Sequence, residues 1–224
     1  APKRSTREEV VTAISGNLCR CTGYGPIIDA GLQSCDAARQ LDHLIYAVQQ
    51  PTSIETPSLQ ADIGYRIARS EAELGQWLQE GPAAGIPSQS EPRTAAKVIA
   101  GATDAWVAVN QEAQEHANII DISRIESLRV ISQEQQMLNI GACVSHEALL
   151  EFFTTPPNRS AAVEELLRRF GSPQIRHAGT IGGNLCGGSP IADWSPLLLA
   201  LDARVTLKSA TAARSLPLGE FFLG

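Results

Sequence analysis

The chain has 224 residues, 43% of them hydrophobic and 19% charged, with a formal net charge of −6 at pH 7. This is the composition of a soluble globular protein, and the length suffices for one good core and a smaller second unit. The acidic balance argues against nucleic acid as the main partner, because phosphate neutralisation needs a basic face. No apolar run approaches the ~20 residues needed to cross a bilayer, and the first residues lack the apolar stretch of a signal peptide. We therefore predict a soluble, cytoplasmic protein without a membrane partner.

Two helices with a cysteine-bearing loop between them are predicted at the start of the chain. The first is capped at Ser5 and runs to Ile14, and Pro26 suits the first turn of the second. The loop contains Cys19 and Cys21, separated by one residue. A disulfide across that spacing would be strained, so the pair is better suited to holding a metal.

The number and spacing of the cysteines bear on the role of this pair. The five cysteines are too sparse for a secreted disulfide framework. No second cysteine pair and no histidine pair at ligand spacing accompanies Cys19 and Cys21. The residues alone leave two interpretations open: half of a metal site, or two free buried thiols.

A linker is predicted at residues 51–64, which contain two prolines and several hydroxyl residues. It separates a first unit, residues 1–50, from a second, residues 65–224. Strand and helix signals alternate in the second unit, which indicates an α+β or mixed α/β domain. The predicted strands cover residues 95–100, 118–122, 137–142 and 203–208, and the predicted helices begin at Ser70 and cover residues 146–153, 160–170 and 196–201.

The first of two glycine-rich segments, residues 98–104, lies between a predicted strand and a predicted helix. Gly101 permits close approach of the backbone, and exposed N–H groups at the start of a helix form an anion-binding site. The alternative is that Thr103 or Asp104 simply caps the helix.

The second segment has five glycines between residues 179 and 188, which would weaken an ordinary strand. They suit a backbone that wraps closely around a ligand. The pattern is neither a Rossmann turn nor a P-loop. Asp193 either caps the next helix or binds the ligand, and Arg176 and His177 are expected to be surface or supporting residues. No pattern typical of a hydrolase is present.

Three motifs together resemble the molybdenum hydroxylases, the xanthine dehydrogenase family. Gly-Asn-Leu-Cys-Arg-Cys-Thr-Gly-Tyr at residues 16–24 is similar to the second half of their helical 2Fe-2S domain. Residues 100–104 and residues 180–184 with 189–193 resemble their two flavin-binding loops. The motifs stand in the family's order, and cluster and flavin segments fused in one chain are similar to the small subunit of bacterial two-subunit xanthine dehydrogenases.

The resemblance implies two bound cofactors. Cys19 and Cys21 correspond to ligands of a 2Fe-2S cluster, Phe170 to a ring that stacks on the adenine of FAD, and Asp193 to a residue that bonds flavin hydroxyls. Cys186 replaces the usual apolar residue near the isoalloxazine. The implied cofactor-binding residues are Val98, Ile99, Ala100, Gly101, Ala102, Thr103, Asp104, Ala105, Phe170, Thr180, Ile181, Gly182, Gly183, Asn184, Cys186 and Asp193.

The sequence also departs from the family. The C-x-x-C that supplies the first two cluster ligands is absent, and the chain stops short of the rest of the flavin domain. We therefore expect an internal portion of a longer subunit. Its fold class is predicted to be α+β: a short helical 2Fe-2S segment at residues 1–50, followed by a mixed α/β FAD-binding domain at residues 65–224 that is incomplete at its C-terminus.

The implied function is electron transfer in a xanthine dehydrogenase-like oxidoreductase of purine catabolism. Electrons would pass from a molybdenum centre, held by molybdopterin on a large partner subunit, through 2Fe-2S clusters to FAD and then to NAD. A related enzyme acting on aldehydes or other N-heterocycles is the alternative, and the linkage of the two segments disfavours a carbon monoxide dehydrogenase. A third hypothesis is a non-catalytic assembly protein that has lost its cluster.

Overall fold

In a computed structural model, the chain is described over residues 5–17, 23–38, 64–80, 96–113, 116 and 118–222. The described residues form two compact units. One contains two helices together with residues 172–175, and the other contains the elements from residue 64 onward. The second unit combines small sheets with helices, so the predicted α+β class is confirmed. Within these ranges no helix is both long and apolar enough to cross a membrane.

The first unit contains helices α1 (Arg7–Ile14) and α2 (Tyr24–Ala38). Thr6, not Ser5, caps α1: its hydroxyl accepts from the Glu9 N–H at 3.2 Å, and the Glu9 carboxylate accepts from the Thr6 N–H at 2.7 Å. The predicted cap is therefore wrong by one residue. With Thr6 as the cap, Val10 lies on the buried side of α1. It packs so close to Gly31 of α2 that a Cβ at Gly31 would lie 2.8 Å from Val10 Cγ1.

The second unit begins with a three-stranded parallel sheet in the order β1-β3-β2. Its strands are β1 (Gly64–Ile67), β2 (Lys97–Ile99) and β3 (Asn118–Asp121); helix α3 (Glu71–Glu80) follows β1, and helix α4 (Thr103–Glu112) follows β2. The expectation of a buried strand at residues 95–100 is wrong in one respect. Because β2 lies at the edge of the sheet, Lys97 and Val98 are exposed and Ile99 is half-buried.

The remainder of the unit is mostly helical. A hairpin of β4 (Ile131–Glu134) and β5 (Met137–Ile140) precedes the helices, and a hairpin of β6 (Arg204–Lys208) and β7 (Ala213–Pro217) follows them. The helices after the first hairpin are α5 (His146–Thr154), α6 (Ala161–Arg169), α7 (Pro173–Ala178), α8 (Ile181–Gly187) and α9 (Trp194–Ala200), and residues 173–175 of α7 are grouped with the first unit. Their shared core consists of Val144, Leu149, Val163, Leu167, Ile181 and Trp194.

Leu149 lies at the centre of that core, with 0% of its surface exposed. Replacing it by alanine removes buried methyl groups and leaves a cavity, so we expect Leu149→Ala to lower the free energy of unfolding by about 2–5 kcal/mol. Urea unfolding followed by circular dichroism measures this change. Leu201, which is 62% exposed, provides the control, because Leu201→Ala should cost no more than about 0.5 kcal/mol. Equal losses in the two variants would contradict the assigned core.

Candidate cofactor site

The two glycine-rich segments meet at the carboxyl edge of the parallel sheet. Ala100 and Gly101 follow directly on β2, and a Cβ at Gly101 would lie 1.7 Å from the carbonyl oxygen of Ala178. Only glycine allows the first segment to lie this close to residues 178–179 of the second. Ligands of open α/β sheets bind beyond the carboxyl ends of the strands, and this junction is such a place.

A cavity of about 290 Å³ opens at this junction, wholly within the second unit. It is lined by both glycine-rich segments, by the turn after β3 and by the start of α5. The lining residues are Ala100, Gly101, Ser123, Arg124, Arg129, Cys143, Val144, Ser145, Ala148, His177, Ala178 and Thr180. The lining includes two arginines and no carboxylate, although the chain as a whole carries a net charge of −6.

The first segment leaves backbone donors available. Ala102, at φ 55°, precedes α4 without a side-chain capping bond, so the alternative that Thr103 or Asp104 caps this helix is wrong. Among the described residues, no oxygen accepts from the N–H groups of Thr103, Asp104 and Ala105. Helix N-termini with free N–H groups attract anions. Val98 and Ile99, which the resemblance also implies as cofactor-binding residues, belong to β2 of the sheet.

The second segment is a helix rather than the expected ligand-wrapping loop. Thr180 caps α8, and its hydroxyl accepts from the N–H of Gly183 at 3.1 Å. The N–H groups of residues 181–184 all donate to protein oxygens at 3.0–3.1 Å. This segment therefore offers no free amide nest, and Ile181 is a core residue with 5% exposure. Its acceptors outside the helix are the carbonyls of Ala142 and Val144.

The glycines of α8 fall into two groups. A Cβ at Gly182 would lie 2.6 Å from the carbonyl oxygen of Ala142, so internal packing requires glycine there. A Cβ at Gly183 would meet only the Thr180 hydroxyl, at 3.0 Å, and one at Gly187 would meet nothing within 4 Å among the described residues. Residues 183 and 187 are four apart and share one face of the helix. Among the described residues, space is therefore open beside Gly187, while a side chain at Gly183 would press on the capping hydroxyl of Thr180.

Asn184 adds a polar group to the same helix. Its side-chain oxygen is buried and has no hydrogen-bond partner among the described residues. A buried acceptor without a donor is costly, and such groups are often completed by a ligand. Cys186 lies on the same helix and is exposed.

A buried histidine, which sequence reasoning missed, supports this region. His146 is 2% exposed. Its ring Nδ1 accepts from Trp194 Nε1 at 3.1 Å, and its backbone N–H donates to the Gly179 carbonyl at 3.1 Å. The ring centroid of Phe170 lies 4.4 Å from that of His146. Burial, together with the charge of Arg176, lowers the pKa of His146 to about 4. Because its bonding partner is 48 positions away, no local pattern could have revealed this role.

Arg176 is a supporting residue, as predicted, although it lies inside the protein rather than on the surface. Its side chain is 8% exposed, and its Nε lies 2.7 Å from a carboxylate oxygen of Glu147. Its Nη1 donates to the carbonyls of Phe170 and Gly171 at 3.3 and 3.2 Å. The ion pair therefore fixes the backbone beside the predicted adenine-stacking ring. His177, the next residue, lines the cavity.

The remaining predicted site residues are less constrained. Asp193 occupies the N-cap position of α9 and is exposed, but its side chain makes no capping hydrogen bond to a described residue. Cys19 and Cys21 lie outside the described residues. Within the described ranges, no group of three or more His, Cys, Asp or Glu side chains is placed to hold a metal ion.

Comparison with known proteins identifies the family. Residues 62–224 match the FAD binding domain in molybdopterin dehydrogenase, and residues 1–32 match the 2Fe-2S binding domain. The chain belongs to the molybdenum hydroxylase family. Cys19 and Cys21 fall within the iron–sulfur match, and the cavity falls within the flavin match.

Individual relatives agree with this assignment. The chain is 35% identical over 127 residues to the FAD-subunit of nicotinate dehydrogenase from Eubacterium barkeri, which covers 57% of this chain and 43% of that one. It is 27% identical over 248 residues to xanthine dehydrogenase/oxidase from Mus musculus, covering 94% of this chain and 19% of the relative. A carbon monoxide dehydrogenase structure from Hydrogenophaga pseudoflava superposes with a TM-score of 0.61 at 26% identity, over 73% of this chain and 53% of that chain. The chain therefore spans only part of the length of these molybdenum hydroxylases.

The buried state of His146 makes stability depend on pH. The folded pKa, about 4, lies below the ordinary value of 6.5, so the unfolded chain binds the proton more readily. The contribution of the neutral, buried His146 to the free energy of unfolding is complete above pH 6.5 and is lost as the pH falls towards 4. At about 1.4 kcal/mol for each pKa unit, we expect a loss on the order of 3 kcal/mol.

Urea unfolding of the wild type and of His146→Gln over this pH range measures the effect. The variant is less stable at neutral pH, and its free energy of unfolding should fall less steeply on acidification because the titrating group is gone. Parallel pH profiles for the two proteins would disprove the assignment.

Proposed function

We propose that the chain is the electron-transfer part of a molybdenum hydroxylase, binding FAD in the second unit and a 2Fe-2S cluster through Cys19 and Cys21. The observation that carries this proposal is the meeting of the two glycine-rich segments around one cavity at the carboxyl edge of the sheet. The domain division proposed with it is a cluster segment at residues 1–50, a linker at 51–64 and a flavin domain at 65–224.

The residues present fit FAD in three ways. The free N–H groups at the start of α4 suit a pyrophosphate. The open side of α8 at Gly183 and Gly187 admits a flat ring system, and the buried Asn184 oxygen offers an acceptor. Bound FAD would supply the redox chemistry, accepting electrons and passing them on. The protein binds and orients it, and no general acid or base is required of this chain.

Other residues hold this arrangement in place. The Arg176–Glu147 ion pair and the His146–Trp194 hydrogen bond fix the backbone around Phe170 and Gly179. We infer that Phe170 stacks on the adenine with the side of its ring that His146 leaves free. We infer that Asp193, which is exposed and makes no side-chain capping bond to a described residue, accepts from flavin hydroxyls.

The proposed overall reaction is that of a xanthine dehydrogenase: hydroxylation at a molybdenum centre on a large molybdopterin-containing partner subunit, followed by transfer through 2Fe-2S clusters to FAD and NAD. Matches to xanthine dehydrogenases over 94–98% of this chain agree with this class of reaction, and aldehyde oxidases match over 97% of the chain as well. A second candidate is a related enzyme that hydroxylates another N-heterocycle. It is favoured by the higher identity, 35%, to the nicotinate dehydrogenase FAD-subunit.

The flavin site predicts the effect of a side chain at Gly183. We expect Gly183→Val to abolish flavin retention while the fold survives, because Gly183 is exposed on α8 and the new side chain would occupy the space proposed for the flavin, with the Thr180 hydroxyl as its one close neighbour among the described residues. The flavin-to-protein absorbance ratio and thermal unfolding by circular dichroism measure the two effects. Gly25→Val, at a helical glycine whose added Cβ would have no described atom within 4 Å, is the control and should retain flavin. Full flavin absorbance in Gly183→Val would refute the site.

The cluster assignment predicts a split between two activities in the complete enzyme. Replacing both Cys19 and Cys21 by serine removes thiolates that would bond to iron. Purine-dependent NAD reduction should then fall by orders of magnitude, while NADH oxidation with an artificial acceptor persists and flavin content stays near the wild-type level. Joint loss of both activities would mean that the cysteines act through folding. Retention of both would place them off the electron path.

A further inference from the structure

Two arginines form a cationic wall of the cavity. Arg124 follows β3, and Arg129 ends the short 3₁₀ helix of residues 126–129. Both line the same cavity as Ala100 and Gly101, the residues that lead into α4. The two positive side chains therefore line the same cavity as the backbone that leads into the N-terminus of α4.

Arg124 and Arg129 make few ion pairs or hydrogen bonds within the described part of the chain. No hydrogen bond or ion pair joins Arg124 to another described residue. Arg129 lies 3.6 Å from Glu126, whose side chain is 85% exposed, and such a surface pair contributes little and is easily exchanged.

A carboxylate at the same edge of the sheet already has partners. Asp121, the last residue of β3, accepts from the Tyr65 hydroxyl at 2.6 Å and from the Ser123 N–H at 2.8 Å. With that carboxylate held and with no Asp or Glu in the cavity lining, the local charge favours an anionic ligand. A guanidinium group is well suited to phosphate oxygens.

We propose that Arg124 and Arg129 bind the pyrophosphate of FAD together with the N-terminal amides of α4, and so make the site selective for the dinucleotide over flavins that lack phosphate. This inference rests on the proposed flavin function and adds two residues that neither the glycine motifs nor their spacing indicates. In this proposal the isoalloxazine binds beside α8, and the pyrophosphate binds at Arg124 and Arg129.

The test is a titration of the deflavinated full chain with FAD and with riboflavin, followed by flavin fluorescence at low and moderate salt. The variants are Arg124→Gln, Arg129→Gln, the double variant and Arg124→Lys. Arg159→Gln is the charge-matched control, since Arg159 pairs with Glu164 and lies outside the cavity lining. Thermal unfolding checks that each variant is folded.

We expect each glutamine variant to weaken FAD binding by about tenfold, and the double variant to weaken it more, because charge-assisted contacts to phosphate are lost. The salt dependence of FAD binding should become shallower in the double variant. Arg124→Lys should recover part of the affinity, while riboflavin binding and the Arg159→Gln control remain at the wild-type level.

Three results would overturn the proposal. Wild-type FAD affinity and salt dependence in the double variant would remove the arginines from the site, and if Gly183→Val still lost flavin, the flavin function itself would stand. Equal weakening of FAD and riboflavin would show that the arginines act on the fold rather than on the pyrophosphate. A wild-type chain that binds no FAD at all would overturn the proposed function and, with it, this inference.

Discussion

The candidate site depends on one close approach, that of Gly101 to the carbonyl of Ala178. Any side chain at position 101 would overlap that carbonyl, at 1.7 Å from its oxygen. The contact brings the edge of the parallel sheet against the helical part of the same unit, and the cavity exists only because these two parts adjoin. Glycine at position 101 is therefore required by the fold itself, whether or not a ligand is bound.

The two glycine-rich segments have different roles, although their compositions are alike. In the second, the N–H groups of residues 181–184 are consumed by internal hydrogen bonds, so it acts as a scaffold with one open face. In the first, the amides at the start of α4 have no acceptor among the described residues. Donors to an anion come from one segment, and space for a ring comes from the other.

Much of this was visible in the sequence, because it depends on local spacing. The strand–turn–helix around Gly101 and most of the helices after residue 140 follow from nearby residues, whereas the supporting role of Arg176 depends on Glu147, 29 positions away. The helix at residues 181–187 did not, because its five-glycine neighbourhood has low helix propensity and tertiary acceptors at Ala142 and Val144 override it. The cap at Thr6 was missed because two hydroxyl residues stand side by side, and only the buried position of Val10 decides between them.

The turn of residues 142–144 after β5 has a further consequence. Its carbonyls anchor the start of α8, and two of its residues, Cys143 and Val144, also form part of the cavity wall. The cavity wall and α8 are therefore joined by hydrogen bonds within the protein itself, without a ligand. A pocket assembled in advance loses little conformational entropy on binding, so more of the contact energy is expressed as affinity. Tight, non-covalent retention of a cofactor is the behaviour that such preorganisation favours.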